Sequence, residues 1–253
     1  MNKTIVFIGA GPGDPELITV KGARIIREAD VIIYTGSLVN PVVVQDVKEE
    51  AVVYDSAGMN LDEIVDIMLQ AAKEGKRVAR VHTGDPGLFG AIREQMNRLQ
   101  LADVAFEVIP GVSSFAAAAA SLKKEYTLPG VAQTVILTRM EGRTPVPEKE
   151  KLSKLAAHGT SLVIFLSVQM MDQVVEELLQ GYTPDTPVAV VQKASWPEEK
   201  RVKGTLGDIA AKVKKAGIDR TALILVGHFL GDCYELSRLY DKHFSHGYRS
   251  EKP

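Results

Sequence analysis

Between residues 5 and 109 short apolar, β-branched runs alternate with stretches of helical period, and this alternation restricts the fold more than any other feature. Strands are expected at 4–8, 31–34, 51–54, 77–81 and 105–109. The intervening stretches 16–29, 61–72 and 87–101 read as helices. The second places Leu61, Ile64, Val65, Met68 and Leu69 on one face. Repeated strand–helix units imply a mostly parallel sheet covered by helices on both sides.

After Pro110-Gly111 the texture changes. Residues 112–122, with alanine at each of 116–120, form a good helix and a rigid connector. Strands follow at 133–138, 161–166, 188–192, 201–204 and 222–226, with helices at 149–157, 170–179 and 206–216. These strands pair more often without helices between them, so a second α/β domain with a mixed sheet is expected. The segment 141–147, with Gly142, Pro145 and Pro147, reads as a loop. The expected division is an N-terminal domain at 1–114, a C-terminal domain at 115–240 and a tail at 241–253, with the active site in the cleft between the domains.

Composition narrows the function. A net charge of −2 over 253 residues leaves no basic excess for general nucleic-acid binding. The single cysteine, Cys233, makes neither an internal disulfide nor a thiolate zinc cluster, and no metal site is expected. No apolar run approaches the roughly 20 residues that span a bilayer. The N-terminal apolar run is too brief for a signal peptide, so a cytoplasmic protein is expected.

Three loops carry the candidate chemistry. Gly9-Ala10-Gly11-Pro12-Gly13-Asp14-Pro15 follows the first strand and brings backbone N–H groups to a helix start. A nicotinamide fingerprint needs glycines at positions one, three and six; here these are Gly9, Gly11 and Asp14. The acid that would hold a ribose is also missing, because the second strand ends at Tyr34-Thr35. No phosphate loop ending in Gly-Lys-Ser/Thr is present. Arg80-Val81-His82-Thr83-Gly84-Asp85-Pro86 lies at the carboxyl end of the fourth strand, and Pro110-Gly111-Val112-Ser113-Ser114 at the end of the fifth. Taken singly, each fits a tight turn or a helix cap. Together they fall on the one sheet edge where open parallel sheets bind ligands.

In this order and spacing the three loops resemble those of the tetrapyrrole methylase family. With them go Leu17, Thr19, Lys21-Gly22 and Ala29-Asp30-Val31, and the likeness runs over about residues 5–249. Further segments are similar to the branch of that family serving cobalamin synthesis. They are Tyr34-Thr35-Gly36-Ser37-Leu38-Val39, His82 through Ile92, Gln133 through Arg139, Gly142-Arg143-Thr144-Pro145 and Leu239-Tyr240-Asp241-Lys242. Uroporphyrinogen methyltransferases carry Asp after the second-strand tyrosine. Thr35 stands there instead, which argues against that substrate.

The resemblance implies an S-adenosylmethionine-dependent C-methyltransferase, a homodimer, with Pro12, Thr83, Gly84, Asp85, Leu88, Ser113 and Ser114 at the cofactor. Leu166 and Ala194 are expected to join them from the second domain. The implied acceptor is a tetrapyrrole rimmed by carboxylates, so Lys21, Arg80, Arg139, Arg143 and Lys193 are substrate-binding candidates. Asp14 and His82 are candidates for positioning the ring or moving a proton, and equally for an N-cap and a strand-end hydrogen bond. Trp196 and His228 are either contacts or packing. The competing readings are a dehydrogenase with an aberrant glycine loop and a non-catalytic tetrapyrrole-binding module.

Overall fold

A computed structural model describes residues 5–241, 243–245 and 247–248. Lys242 and much of the expected tail lie outside the described residues. The chain forms two compact units. One takes in the chain up to Ala118 together with Lys193–Glu199; the other takes in Ala119–Gln192 and the chain from Lys200 onward.

The first unit is built on a five-stranded, all-parallel sheet. Its strands are β1 (Ile5–Gly9), β2 (Val31–Tyr34), β3 (Val52–Asp55), β4 (Val78–His82) and β5 (Phe106–Ile109), in the order β3-β2-β4-β1-β5. Helices α1 (Val20–Glu28), α2 (Leu61–Lys73) and α3 (Ile92–Leu101) connect them. Side chains alternate between faces along each strand. Ile5, Phe7, Val31, Ile33 and Val78 pack against Ile64, Val65 and Met68 of α2 and Leu99 of α3. Val6, Ile8, Ile32, Ala79 and Val81 pack on the opposite side with Ile26 of α1. Burial on both faces explains why these strands are apolar almost throughout.

Strand order fixes where a ligand belongs. The connection from β1 crosses over β4 to reach β2, and the connection from β4 crosses over β1 to reach β5. Crossovers leaving two neighbouring strands in opposite directions open a crevice at their carboxyl ends. The glycine-rich loop and the Thr83-Gly84-Asp85 loop are the two loops at that point.

Two expected helices are corrected. The stretch 16–29 is interrupted: Pro15–Leu17 is a short 3-10 turn, and α1 starts only after Thr19, whose hydroxyl accepts from Gly22 N at 3.1 Å. The stretch expected at 87–101 becomes helical only at Ile92. Phe89 and Ala91 both hold left-handed backbone, with φ of 55° and 49°, which no α-helix continues through.

The second unit follows α4 (Ser114–Leu122), which starts in the first. Its sheet has the order β6-β7-β10-β8-β9: β6 (Val135–Arg139), β7 (Ser161–Phe165), β8 (Pro187–Gln192), β9 (Lys200–Thr205) and β10 (Ala222–Val226). Only β6 and β7 run parallel; the other neighbours are antiparallel, so the sheet is mixed. Helices α5 (Leu152–Ala156), α6 (Met171–Leu178) and α7 (Ile209–Lys215) cover one face. There Leu162, Ile164, Val190 and Ile224 meet Val174, Leu178, Ile209 and Val213. Among the described residues no helix is long and apolar enough to cross a membrane.

Candidate active site

At the carboxyl edge of the first sheet three strand ends meet by their backbones. Ala10 N donates to His82 O at 2.7 Å, and Gly84 N donates to Gly11 O at 2.8 Å. Gly11 and Gly84 both have positive φ, 79° and 61°, which favours glycine. A side chain on Gly9 would bring its Cβ to 2.6 Å from both Gly111 Cα and Gly84 O, and one on Gly111 would overlap Gly84 O. Gly84 is different: a Cβ there finds its nearest neighbour, Ser113 Cα, at 3.6 Å. The loops after β1 and β4 and the stretch after β5 therefore touch where they leave the sheet.

Asp85 ties two of these loops together. One carboxylate oxygen accepts from Gly87 N at 2.8 Å and the other from Gly111 N at 2.9 Å. Ser113 is buried beside Gly84, and its carbonyl accepts from Ala116 N as α4 begins at Ser114. Thr83 and Leu88 are half-buried on the same edge.

The glycine-rich loop is held from a distant part of the sequence. The indole Nε1 of Trp196 donates to Pro12 O at 2.9 Å, and Asp14 N donates to Ser195 Oγ at 3.0 Å. The amide of Asn40 donates to Gly13 O at 2.8 Å. These contacts correct the expected place of Ala194. It is buried, and it belongs to the first unit although β8 and β9 on either side belong to the second. Of Trp196 and His228, both open in the sequence between contact and packing, Trp196 is the one bonded to this loop. The only hint is Gly13, which is small because the indole lies where its side chain would be.

The two candidate acid–base residues occupy different surroundings. Asp14 caps the 3-10 turn, its Oδ1 accepting from Glu16 N at 2.9 Å. It also sits where a nicotinamide loop has its third glycine. His82 is 5% exposed, with its ring 6.0 Å from that of Phe7 and its Nε2 without a hydrogen-bond partner. Burial, and then the nearby Arg80 cation, pushes its pKa down to about 3, so its imidazole is neutral.

Residues 4–210 match the family model described as Tetrapyrrole (Corrin/Porphyrin) Methylases. The chain belongs to the tetrapyrrole methylase family. It is 58% identical over 250 residues to the cobalt-precorrin-4 C(11)-methyltransferase of Methanocaldococcus jannaschii, covering 98% of this chain and 96% of that one. Among solved structures it is similar to a cobalamin biosynthetic enzyme, cobalt precorrin-4 methyltransferase. The TM-score is 0.88 at 49% identity, over 90% of this chain and 96% of the other. A uroporphyrin-III C-methyltransferase from Thermus thermophilus, complexed with S-adenyl homocysteine, matches with TM-score 0.75 at 30% identity, over 89% and 92% of the two chains.

In this tetrapyrrole methylase the five cationic candidates are not equivalent. Arg80 requires correction: it is 4% exposed, on the face of β4 that packs against α2 and α3. It donates to Gln95 Oε1 at 3.1 Å and to Ile33 O and Ser56 Oγ at 3.2 Å each. These three partners are uncharged, and burial lowers its pKa to about 10. An interior guanidinium that joins β2, β4, α3 and the turn after β3 is not a surface reader of substrate carboxylates.

Lys21 is paired with Glu107 of β5 at 2.6 Å. Lys193 lies 5.2 Å from the Trp196 ring centre and 3.6 Å from Glu198. In the second unit Arg139 turns back on its own loop, donating to Met140 O, Thr144 O and Pro145 O at 3.3, 3.1 and 2.7 Å. Arg143, on that loop, is exposed. Leu166 follows β7 with φ 55° and is 70% exposed, and His228 is exposed after β10.

Proposed function

We propose that the chain methylates C11 of precorrin-4 or cobalt-precorrin-4, with S-adenosylmethionine as donor, in the synthesis of cobalamin. One observation carries this reading: 58% identity over nearly the whole length of both chains to a cobalt-precorrin-4 C(11)-methyltransferase. Any cobalt belongs to the acceptor.

The first unit's strand-end loops suit the donor. Thr83, Gly84, Ser113 and Ser114 are small, which suits close approach of a ligand to their backbone groups, and Gly84 faces Ser113 at ordinary contact distance, 3.6 Å for a Cβ placed there. Leu88 supplies apolar surface to the same edge, Pro12 and Ala194 are buried, and Asp85 holds Gly111, and with it Ser113, in place. When bound, S-adenosylmethionine supplies a sulfonium methyl to a ring carbon. The protein's part is to align that carbon and exclude water, which contributes about 7–11 kcal/mol where orientation is good. No protein nucleophile is needed. His82 is buried and, with its pKa held at about 3, a weak proton acceptor, while Asp14 caps the turn after the glycine-rich loop, so neither is needed to transfer a proton.

Arg143 and Lys193 are the candidates for acceptor carboxylates whose side chains are least committed to the fold. Assembly as a homodimer in the cytoplasm goes with this reading and rests on the family resemblance. Sedimentation of a clean 27.5 kDa species at micromolar concentration would refute the dimer. The function is tested by incubating the protein with methyl-labelled S-adenosylmethionine and precorrin-4, with and without cobalt. One labelled methyl on C11, located by mass and NMR, is expected. Its absence, or its appearance on another carbon, overturns the assignment.

A further inference from the structure

We propose that Ser195 and Trp196 form a clamp that sets the backbone of the glycine-rich loop for the cofactor, with Trp196 as the positioning residue. The inference rests on the reading that the first unit's strand ends take S-adenosylmethionine. It goes beyond that reading by assigning a role to a side chain outside the glycine-rich and strand-end motifs.

Three consecutive residues of the loop are restrained from one short segment. The indole N–H holds Pro12 O, the indole ring lies against Gly13 Cα, and Ser195 Oγ takes the N–H of Asp14. Asn40 holds Gly13 O in addition. The clamp is itself constrained. Lys193 and Ser195 are non-glycine residues with φ of 48° and 71°, a conformation that persists only where surroundings over-determine it. The Ser195 N–H donates to Glu199 at 2.8 Å, and the Lys193 ammonium lies 5.2 Å from the Trp196 ring centre.

The arrangement has a chemical consequence. In a phosphate-binding loop the N–H groups at the helix start face the anion. Here the Asp14 N–H is taken by Ser195, and the Pro12 carbonyl is taken by the indole. The loop therefore presents apolar surface and glycine backbone in one fixed form. This suits a donor carried by a sulfonium and not a phosphate. Loss of the indole releases the Pro12 carbonyl and opens space over Gly13. Cofactor affinity is then lost through the loop, without any contact between Trp196 and the reacting atoms.

Trp196 is the one tryptophan of the chain, so its fluorescence reports on this place alone. The experiment titrates S-adenosylhomocysteine into wild type, Trp196→Phe, Trp196→Ala and Ser195→Ala, by calorimetry and, where the indole remains, by fluorescence. Trp196→Ala should weaken binding about tenfold and Trp196→Phe, which loses only the N–H, about threefold to fivefold. In Trp196→Phe and Ser195→Ala, which keep an aromatic ring beneath Lys193, the acceptor KM should stay as in wild type. In wild type the fluorescence change should follow the calorimetric midpoint. Wild-type affinity in Trp196→Phe and Ser195→Ala, both cooperatively folded, overturns the clamp, as does a fluorescence signal indifferent to bound ligand. A wild type that binds no S-adenosylhomocysteine overturns the cofactor reading itself. The restraint is then judged by amide exchange, where the Asp14 N–H must exchange faster in Ser195→Ala than in wild type.

Discussion

Replacing Asp85 by alanine tests whether the strand-end loops are held by this carboxylate. From sequence alone Asp85 is a ligand contact with a cap. In the structure both of its oxygens are engaged by backbone, at Gly87 N and Gly111 N. The Gly87 bond is exposed and resembles a helix cap, which is typically worth about 1 kcal/mol. The Gly111 bond is partly buried, and removing a charged acceptor there costs about 1.5–3 kcal/mol. Together the loss is about 2.5–4 kcal/mol. For a chain of this size that lowers Tm by roughly 5–15 °C. Asp85→Asn keeps one acceptor oxygen and should lose about half as much, since its amide nitrogen then faces an N–H donor.

Differential scanning calorimetry of both variants, with S-adenosylhomocysteine titrations at a temperature where each remains folded, provides the measurement. Affinity should fall about tenfold in Asp85→Ala, because Gly111 no longer fixes the start of the Ser113-Ser114 stretch. A Tm within about 1 °C of wild type would show that the two bonds contribute nothing. A lowered Tm with unchanged affinity would remove residues 111–114 from the cofactor site.

Four further outcomes follow from the buried and exposed charges. The His82 pKa is depressed in the folded protein, so as pH falls the unfolded chain takes up the proton first. Its contribution is intact above about 6.5 and is lost from there down towards 3, by about 2 kcal/mol between pH 6.5 and 5. Urea unfolding of His82→Leu should show a shallower pH slope than wild type over that window, and identical slopes would refute the buried neutral imidazole. Arg80→Met leaves Ile33 O, Ser56 Oγ and Gln95 Oε1 without their donor, and should cost about 2–4 kcal/mol in urea melts with the acceptor KM unchanged. A raised KM at full stability would return Arg80 to the substrate. Arg143→Gln should raise the acceptor KM about twofold to fivefold at low salt and less at high salt, whereas Arg139→Gln should speed proteolysis of the 140–147 loop. Wild-type KM in the first and wild-type cleavage in the second would refute these two roles.

How much of this was legible depends on how local the cause is. Helix α2 shows in the spacing of Leu61, Ile64, Val65 and Met68, because a local period fixes which side is buried. The three loops could be gathered on one edge because parallel strands all place their carboxyl ends together. The late start of α3 could not be read. Nothing in the Gly87–Ala91 residues forbids a helix outright, and the left-handed backbone of Phe89 and Ala91 goes with a chain packed so closely that a side chain on Gly90 would overlap Pro86 O. The burial of Arg80 depends on partners contributed by β2, α3 and the turn after β3, which no window around residue 80 contains. The allegiance of Ser195 and Trp196 was hidden for the same reason, since their hydrogen-bond partners lie more than 180 positions earlier in the chain.

The site therefore rests on two kinds of interaction that sequence motifs describe unequally. Glycines mark where backbones must touch, and Gly9, Gly84 and Gly111 are visible as motif residues. The side chains that hold those backbones in register are Asp85, Trp196, Asn40 and Ser195, and each acts on a peptide group rather than on a reacting atom. An enzyme that works by alignment has few residues whose removal abolishes the chemistry and several whose removal misplaces it. Loss of rate in this protein should therefore track loss of loop order, measured by amide exchange at Asp14 and Gly111, more closely than loss of any single functional group.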